Sequence, residues 1–166
     1  MYLLPEDFIG YYKISGNTYS EIELQTYIDN IEPKVLRSLL GCELYDLFIA
    51  DLDGNGVPQT QIYLDIYNAF YTDYNNCQIK SDGMLEMLKG FIYYEYVRDG
   101  NFFNTISGTV KNTFANSEMA RTAEFGLNER YNVALQSFDA IQWFICQNEE
   151  DYPTYNGIKL DVQIWL

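Results

Sequence analysis

Histidine is absent from this chain of 166 residues. It is the usual general acid or base near neutral pH and the commonest metal ligand in proteins. Its absence excludes a histidine-activated nucleophile and the Glu-x-x-His sites of di-metal helical bundles. The sequence also lacks the Gly-x-x-x-x-Gly-Lys phosphate loop and the Gly-x-Ser-x-Gly nucleophile elbow. We therefore predict a protein that is not an enzyme and that binds no cofactor or metal.

Positive charge is also scarce. The chain has 10 Lys and Arg against 24 Asp and Glu, for a net charge of −14. This balance argues against a nucleic-acid-binding surface, because binding a polyanion requires Lys and Arg, and equally against docking on an anionic membrane. No run of about 18 apolar residues predicts a membrane-spanning helix, and the first ten residues lack the features of a signal peptide. We expect a protein that has basic partners or that must not adhere to nucleic acid.

Cysteine is limited to three widely spaced positions, Cys42, Cys77 and Cys146, with no Cys-x-x-Cys pair. This spacing does not support a zinc site, and we expect reduced thiols packed as small apolar side chains in a cytosolic fold. Aromatic side chains, in contrast, are abundant, with 16 Tyr, 10 Phe and 2 Trp. Because Tyr and Trp are enriched at protein interfaces, the composition favours a contact-making structural protein.

The hydrophobic periodicity predicts a small, mainly α-helical bundle. Ser20-x-x-Glu23 has the spacing of a capping box and opens a first helix up to about residue 31. Pro33 is well suited to the first turn of a second helix, with Gly41 as its stop. The remaining apolar stripes predict helices over residues 42–52, 59–74, 82–99 and 117–148. Gly126 is a candidate break in the last of these helices.

Three segments do not have the helical period. Residues 1–19 are predicted to be an N-terminal arm, and residues 101–116 a loop or β-hairpin that turns near Ser107-Gly108. Residues 149–166 are predicted to be an extended C-terminal segment, in which 158–166 alternate like a strand that could add to another sheet edge. The predicted organisation is one helical domain over 20–148, with a hairpin-like insertion and two extended ends. We expect that removal of residues 152–166 leaves a folded domain.

The acidic turn Asp51-x-Asp53-x-Asn55-Gly56 matches the first half of an EF-hand calcium loop. The match then fails, because Ile62 stands where a bidentate Glu is required and Pro58 lies inside the loop. Asp and Asn also favour turns through local hydrogen bonds. A simple turn and a weak cation site both remain open.

Two aromatic features also have two interpretations each. The run Phe91-Ile92-Tyr93-Tyr94-Glu95-Tyr96 is typical of core packing with half-exposed tyrosines, and the alternative is a binding stripe. Trp165, next to the last residue, packs either on its own domain or on a neighbour.

Residues 84–148 resemble a known family. They contain a helix with an aromatic end, Met84 to Arg98, and a later helix with Arg130-Tyr131 near its middle. Between them stand Asn104-Thr105-Ile106-Ser107-Gly108-Thr109-Val110-Lys111 and Asn116-Ser117-Glu118-Met119-Ala120. This order resembles the head–tail connector, or adaptor, proteins of tailed bacteriophages, where a Gly-Val-type hairpin or loop joins two helices. Thr109 between Gly108 and Val110 departs from that pattern. Leu39-Leu40-Gly41-x-Glu43-Leu44-Tyr45-x-Leu47 is similar to the early helical part of the family.

The resemblance implies a structural virion protein at the head–tail junction, made in the cytoplasm of a host bacterium. Such proteins form a ring, usually of twelve copies, which binds the portal protein on one side and the next tail or stopper protein on the other. The ring extends the channel through which DNA passes without specific binding, and the family has no catalytic residues. The expected interface residues lie in the insertion and in the C-terminal segment: Phe102, Phe103, Ile106, Gly108, Val110, Phe114, Tyr155, Ile164 and Trp165.

Three other functions remain open at the level of sequence. An acidic, DNA-mimicking inhibitor of a nucleic-acid-binding protein would explain the charge but not the aromatic excess. An enzyme that uses carboxylates or a loop-bound cation would depend on the turn at Asp51. A helical scaffold or assembly chaperone of the same phage would share the fold and be absent from the virion.

Overall fold

A computed structural model gives the architecture of the chain. The structure describes residues 3–14, 20–75, 77–100, 102–105, 108–111 and 117–157. Within these ranges it includes the side chains except over 102–124.

The first helix, α1, is continuous over Glu21–Leu40. Its start is capped as predicted, because the Ser20 hydroxyl accepts a hydrogen bond from the Glu23 backbone N–H at 3.3 Å. The predicted break at Pro33 is wrong, since this proline lies inside the helix. Core side chains on both sides of it, such as Ile28 and Leu36, are fully buried. Their packing outweighs the ~3 kcal/mol that an interior proline costs a helix.

Short elements follow. Gly41, at a φ of +77°, ends α1 and precedes α2, Cys42–Ala50. A turn then leads to α3, Gln61–Tyr67, and to an antiparallel hairpin of β1, Phe70–Tyr74, and β2, Cys77–Ser81. The predicted helix over 59–74 is therefore wrong in its second half. The sequence Phe-Tyr-Thr-Asp-Tyr is rich in strand-forming aromatic residues, and Asn75 adopts a φ of +48° that suits a tight turn.

The second half of the chain is built on two helices, α4, Met84–Gly100, and α5, Ser117–Gln147. A second antiparallel hairpin joins them, formed by β3, Phe102–Thr105, and β4, Gly108–Lys111. Gly126 lies within α5 without ending it. The mainly α fold is confirmed, with five α-helices and two separate two-stranded sheets in the described ranges.

The core lies where α4 and α5 pack against each other and against α1. The two helices approach closely at Gly90, where a β-carbon would lie 2.6 Å from Cβ of Ala134. Fully buried side chains of the three helices fill the interface: Leu24, Ile28, Leu36, Leu39, Leu40, Met87, Leu88, Ile92, Phe138, Ile141 and Ile145.

The predicted N-terminal arm packs into this core where the structure describes it. Residues 3–14 contain two single 3₁₀ turns, Pro5–Asp7 and Gly10–Tyr12. Leu3, Phe8, Tyr12 and Ile14 are all buried. The prediction of a separate arm is therefore corrected. The apolar residues of this segment do not repeat at the helical period, because the segment packs on the core as two short 3₁₀ turns rather than as a long helix.

The beginning of the predicted C-terminal segment also belongs to the core. Tyr152 is 2% exposed, and its hydroxyl donates a hydrogen bond to the Ile62 carbonyl at 2.5 Å. Removal of residues 152–166 would therefore take a buried side chain out of the fold. The strand predicted over 158–166 lies outside the described residues.

Candidate assembly interface

The β3–β4 hairpin lies between the two longest elements of the second half of the chain. Phe103 pairs with Val110, and Thr105 pairs with Gly108, so two residues connect the strands. The hairpin predicted from the Thr, Asn and Gly content of this segment is thus confirmed. Its extensive contacts are between its own strands and with the adjoining end of α4. An isolated two-stranded hairpin is marginally stable at best in water, so further packing would stabilise this one.

Ion pairs and a hydrogen bond surround the end of α4 from which the hairpin begins. Arg98 forms ion pairs with Glu95 and, at 3.0 Å, with Asp99. The Tyr27 hydroxyl of α1 donates to the Asp99 carboxylate at 3.0 Å. Burial and this hydrogen bond raise the pKa of Tyr27 to about 12. The last turn of α4 is therefore tied to α1 immediately before the chain enters β3.

Helix α5 is much longer than α4 and extends past its end. The 31 residues of α5 correspond to about 46 Å, and the 17 residues of α4 to about 25 Å. Gly90 lies opposite Ala134, and the rings of Tyr94 and Tyr131 are 4.6 Å apart, which fixes an antiparallel register. From that register the first turns of α5 extend about 10 Å beyond Gly100. The first turns of α5 therefore project beyond the helix end from which the hairpin begins.

Arg130 fastens the N-terminal segment to the two helices. Its Nε donates to the Tyr11 carbonyl at 2.7 Å, and its Nη1 donates to the Gly126 carbonyl at 2.8 Å. The guanidinium also lies 4.6 Å from the ring centroid of Tyr11 and 5.2 Å from that of Tyr93. No local sequence signal predicts this role of Arg130, since its partners are up to 119 positions away in the chain.

The predicted interface residues fall into three groups. Phe102, Phe103, Gly108 and Val110 lie on the paired strands of the hairpin. Tyr155 is half-buried against the core of its own chain, and that burial raises its pKa to about 12. Four residues lie outside the described residues: Ile106, Phe114, Ile164 and Trp165.

The acidic turn uses its carboxylates within the turn itself. Asp51 accepts hydrogen bonds from the backbone N–H groups of Gln59 and Thr60, both at 2.8 Å, and from the Thr60 hydroxyl. Asp53 accepts from the N–H groups of Asn55 and Val57 at 2.8 and 2.9 Å. These donors hold the pKa of both carboxyls below the ordinary value. The geometry favours the simple turn, and no group of metal-ligating side chains occurs in the part of the chain that the structure describes.

The aromatic run in α4 is divided between core and surface. Phe91, Ile92 and Tyr96 are buried, while Tyr93 and Tyr94 are half-buried. The Phe91 ring makes edge-to-face contacts with Tyr131 and Phe138 of α5. The interpretation of this run as core packing is therefore supported for the side that faces α5.

Charge is distributed unevenly along the chain. Residues 38–79 and 131–157 together contain ten Asp or Glu and no Lys or Arg. Residues 101–123, which include the hairpin, contain Lys111, Arg121 and a single acidic residue, Glu118. Residues 101–123 are thus nearly neutral on a strongly acidic protein.

Comparison of the chain with models of known protein families, with curated proteins and with solved structures finds no match in any of the three. Among the helices that the structure describes, none combines the length and the apolar character needed to cross a membrane.

Proposed function

We propose that this protein is a structural virion component, a subunit of a head–tail connector ring that joins the portal protein to the tail of a bacteriophage. The observation that carries the proposal is the β3–β4 hairpin, which follows the end of α4 and makes its extensive contacts between its own strands and with that helix end. A hairpin of this kind suits a ring subunit, because each copy presents one surface and receives a different surface of the next copy. The order of helices and polar turns in the sequence of residues 84–148, which resembles the pattern of connector proteins, supports the same assignment.

The composition fits this role. A ring subunit buries a large part of its surface against neighbours, and the 16 Tyr and 10 Phe supply apolar contact area at both its core and its surface. The net charge of −14 suits a channel through which DNA slides, because carboxylates that face the lumen repel the phosphate backbone. In the proposed ring the protein contacts itself, the portal protein and the next tail or stopper protein.

The mass of the assembly tests the proposal. The full-length protein is measured by light scattering after size exclusion, alone and with a candidate portal protein. We expect a ring, or a monomer that joins the portal ring in many copies. Phe103→Asp, within β3, should abolish the assembly. Ile22→Asp is the matched control, since Ile22 is 83% exposed in the first turn of α1. A small oligomer that ignores the portal protein would overturn the proposal.

A second candidate function is an acidic DNA mimic that blocks a nucleic-acid-binding protein. The two long ranges without a single Lys or Arg favour it. This function predicts a monomer or dimer that competes with DNA for a basic partner and whose competition weakens as salt concentration rises. A ring that does not compete with DNA would exclude it.

A further inference from the structure

The β1–β2 hairpin has an open edge. Its sheet contains only these two strands in the described ranges, and β2 makes the extensive contact with α5. Tyr74 and Cys77 flank a two-residue turn, so they form a hydrogen-bonded pair. Hydrogen-bonded and non-hydrogen-bonded residue pairs then alternate along the two strands. The backbone N–H and C=O groups of Tyr71 and Asp73 are therefore directed away from β2. Such an edge is a template for a further strand.

Aromatic side chains lie beside this edge. Phe70 of β1 contacts Phe144 of α5, and Tyr74 contacts Trp143, with ring centroids 5.2 Å apart in both pairs. Tyr74 is 45% exposed. An open strand edge with adjacent apolar contacts provides what strand addition requires, namely main-chain hydrogen bonds for affinity and side-chain contacts for specificity.

The open edge faces the carboxyl end of α5. Asp82, directly after β2, donates its backbone N–H to the Ser137 hydroxyl at 3.0 Å, whereas Phe70 of β1 contacts Phe144, seven residues further along α5. β1 therefore lies nearer than β2 to the carboxyl end of α5. A third strand beside β1 would lie over this end.

The occupant that fits the edge is the segment after Gly157. Residues 158–166 read Ile-Lys-Leu-Asp-Val-Gln-Ile-Trp-Leu, with apolar and polar residues in alternation up to Ile164. The inner face of β1–β2 carries Phe70 and Tyr74 against α5, while the outer face exposes Tyr71 and Asp73. A third strand with one apolar and one polar face matches both sides of this sheet.

The position of Gly157 favours a second copy as the source of this strand. Gly157 lies against the Leu39 carbonyl, which also accepts a hydrogen bond from Nε2 of Gln142 at 3.5 Å. Trp143 and Phe144, which contact β1, are about 100° and 200° further around α5 than Gln142. Gly157, where the described chain ends, thus lies on a different side of α5 from β1, and this position favours the edge of a neighbour over the edge of the same copy.

We propose that residues 158–166 of one copy add to β1 of a second copy as a third, antiparallel or parallel, strand. This proposal deepens the connector assignment and rests on it, since a contact between two different surfaces propagates from copy to copy until a ring closes.

Two single variants and their mixture test the proposal in the full-length protein. Asp73→Pro removes an outward N–H from the edge, and Asp73→Asn keeps it. Val162→Asp places a charge on the apolar face of the segment, and Gln163→Asp places the same charge on its polar face. By light scattering over a concentration series, we expect self-association of the wild type, association at least about tenfold weaker for Asp73→Pro and Val162→Asp, and no change for the two controls.

The mixture of Asp73→Pro and Val162→Asp should give a 1:1 pair, because the first variant keeps the segment and the second keeps the edge. Hydrogen exchange supplies a second readout, in which the amides of Tyr71 and Asp73 become protected as protein concentration rises. The proposal is overturned by a wild type that remains monomeric, by an Asp73→Pro variant that associates normally, or by a mixture that does not pair. Protection of both amides that does not depend on concentration would place the segment on its own copy and also overturn it.

Binding to the portal protein separates the two proposals. If Asp73→Pro joins a portal ring as the wild type does, the strand contact fails and the connector assignment stands. If the wild type associates through β1 and ignores the portal protein, the connector assignment fails and the strand contact stands.

Discussion

The two β-hairpins of this protein have the same local structure and opposite surroundings. The β1–β2 hairpin lies on α5, where Phe70 contacts Phe144 and Ser81 is 1% exposed. Directly after β2, the Asp82 backbone N–H donates a hydrogen bond to the Ser137 hydroxyl. The β3–β4 hairpin makes its extensive contacts within itself and with the end of α4. The first hairpin is stabilised by its own chain, whereas we propose that the second presents its paired strands to another molecule.

The comparison teaches that an antiparallel pair of short strands does not reveal its role by itself. Two strands bury too little apolar surface to be stable alone. Each hairpin therefore requires a second layer that packs on its sheet, and for β1–β2 that layer is α5. For β3–β4 we infer that a neighbouring copy or the portal protein supplies it. Substitutions in the two hairpins and in the helices that support them test this difference.

The largest effect is expected from the helix on which the first hairpin rests. Phe138 is fully buried between α4 and α5 and contacts the ring of Phe91. Phe138→Ala should lower the free energy of unfolding by about 3–5 kcal/mol, because it removes a large core side chain and leaves a cavity. Phe125→Ala is the control in the same helix, since Phe125 is 72% exposed, and it should change stability by less than about 0.5 kcal/mol. Urea denaturation measures both, and equal losses would show that the core is elsewhere.

A matched pair of substitutions tests the hairpins directly. Phe70→Ala in β1 should cost about 1–2 kcal/mol, because the side chain is half-buried and paired with Phe144. Phe103→Ala in β3 should cost less than about 0.5 kcal/mol in the isolated protein and should weaken assembly on the portal protein. Thermal unfolding and light scattering provide the two readouts. A larger stability loss for Phe103→Ala than for Phe70→Ala would reverse the assignment of the two hairpins.

The close contact of α4 and α5 can be tested with one methyl group. Gly90→Ala should destabilise the protein by about 1 kcal/mol, because the clash with Ala134 outweighs the helix propensity that alanine adds. Gly100→Ala, at the end of the same helix, is the control, since a β-carbon there meets no atom of the described residues within 4 Å. Chemical denaturation of both variants decides the matter, and a gain in stability for Gly90→Ala would mean that the helices can separate at no cost.

The smallest effect is expected from acid titration of the turn before α3. Hydrogen bonds lower the pKa of Asp51 in the folded state, so its ionised form stabilises the fold above the unfolded pKa of about 4. This contribution should be lost as pH falls through the lower, folded pKa. Melting temperatures of the wild type and of Asp51→Asn, compared between neutral and acidic pH, should converge as the pH falls. A difference that widens in acid would contradict the assignment.

Local signals in the sequence predicted much of the fold. The Ser20 cap, the stop at Gly41, the helices from 84 and 117 and the hairpin near Ser107-Gly108 all follow from the preferences of the residues at those positions. The errors arose where packing competes with such preferences. Pro33 favours a helix start, but the core holds a continuous helix around it. The aromatic residues of β1 match the helical period as well as a strand, so their spacing predicts a helix where the structure has a strand.

For the candidate interface as well, properties set by local sequence differ from those set by contacts between distant residues. The sequence determined by itself that the chain is acidic, aromatic, free of histidine and mainly helical, because these properties depend on residue type and on spacing within one turn or one strand. Only the tertiary structure decided that residues 3–14 are core, that Tyr152 and Tyr155 pack on their own chain, and that Arg130 binds the Tyr11 carbonyl. These contacts join residues up to 119 positions apart, and no local pattern encodes which distant surface a side chain will meet.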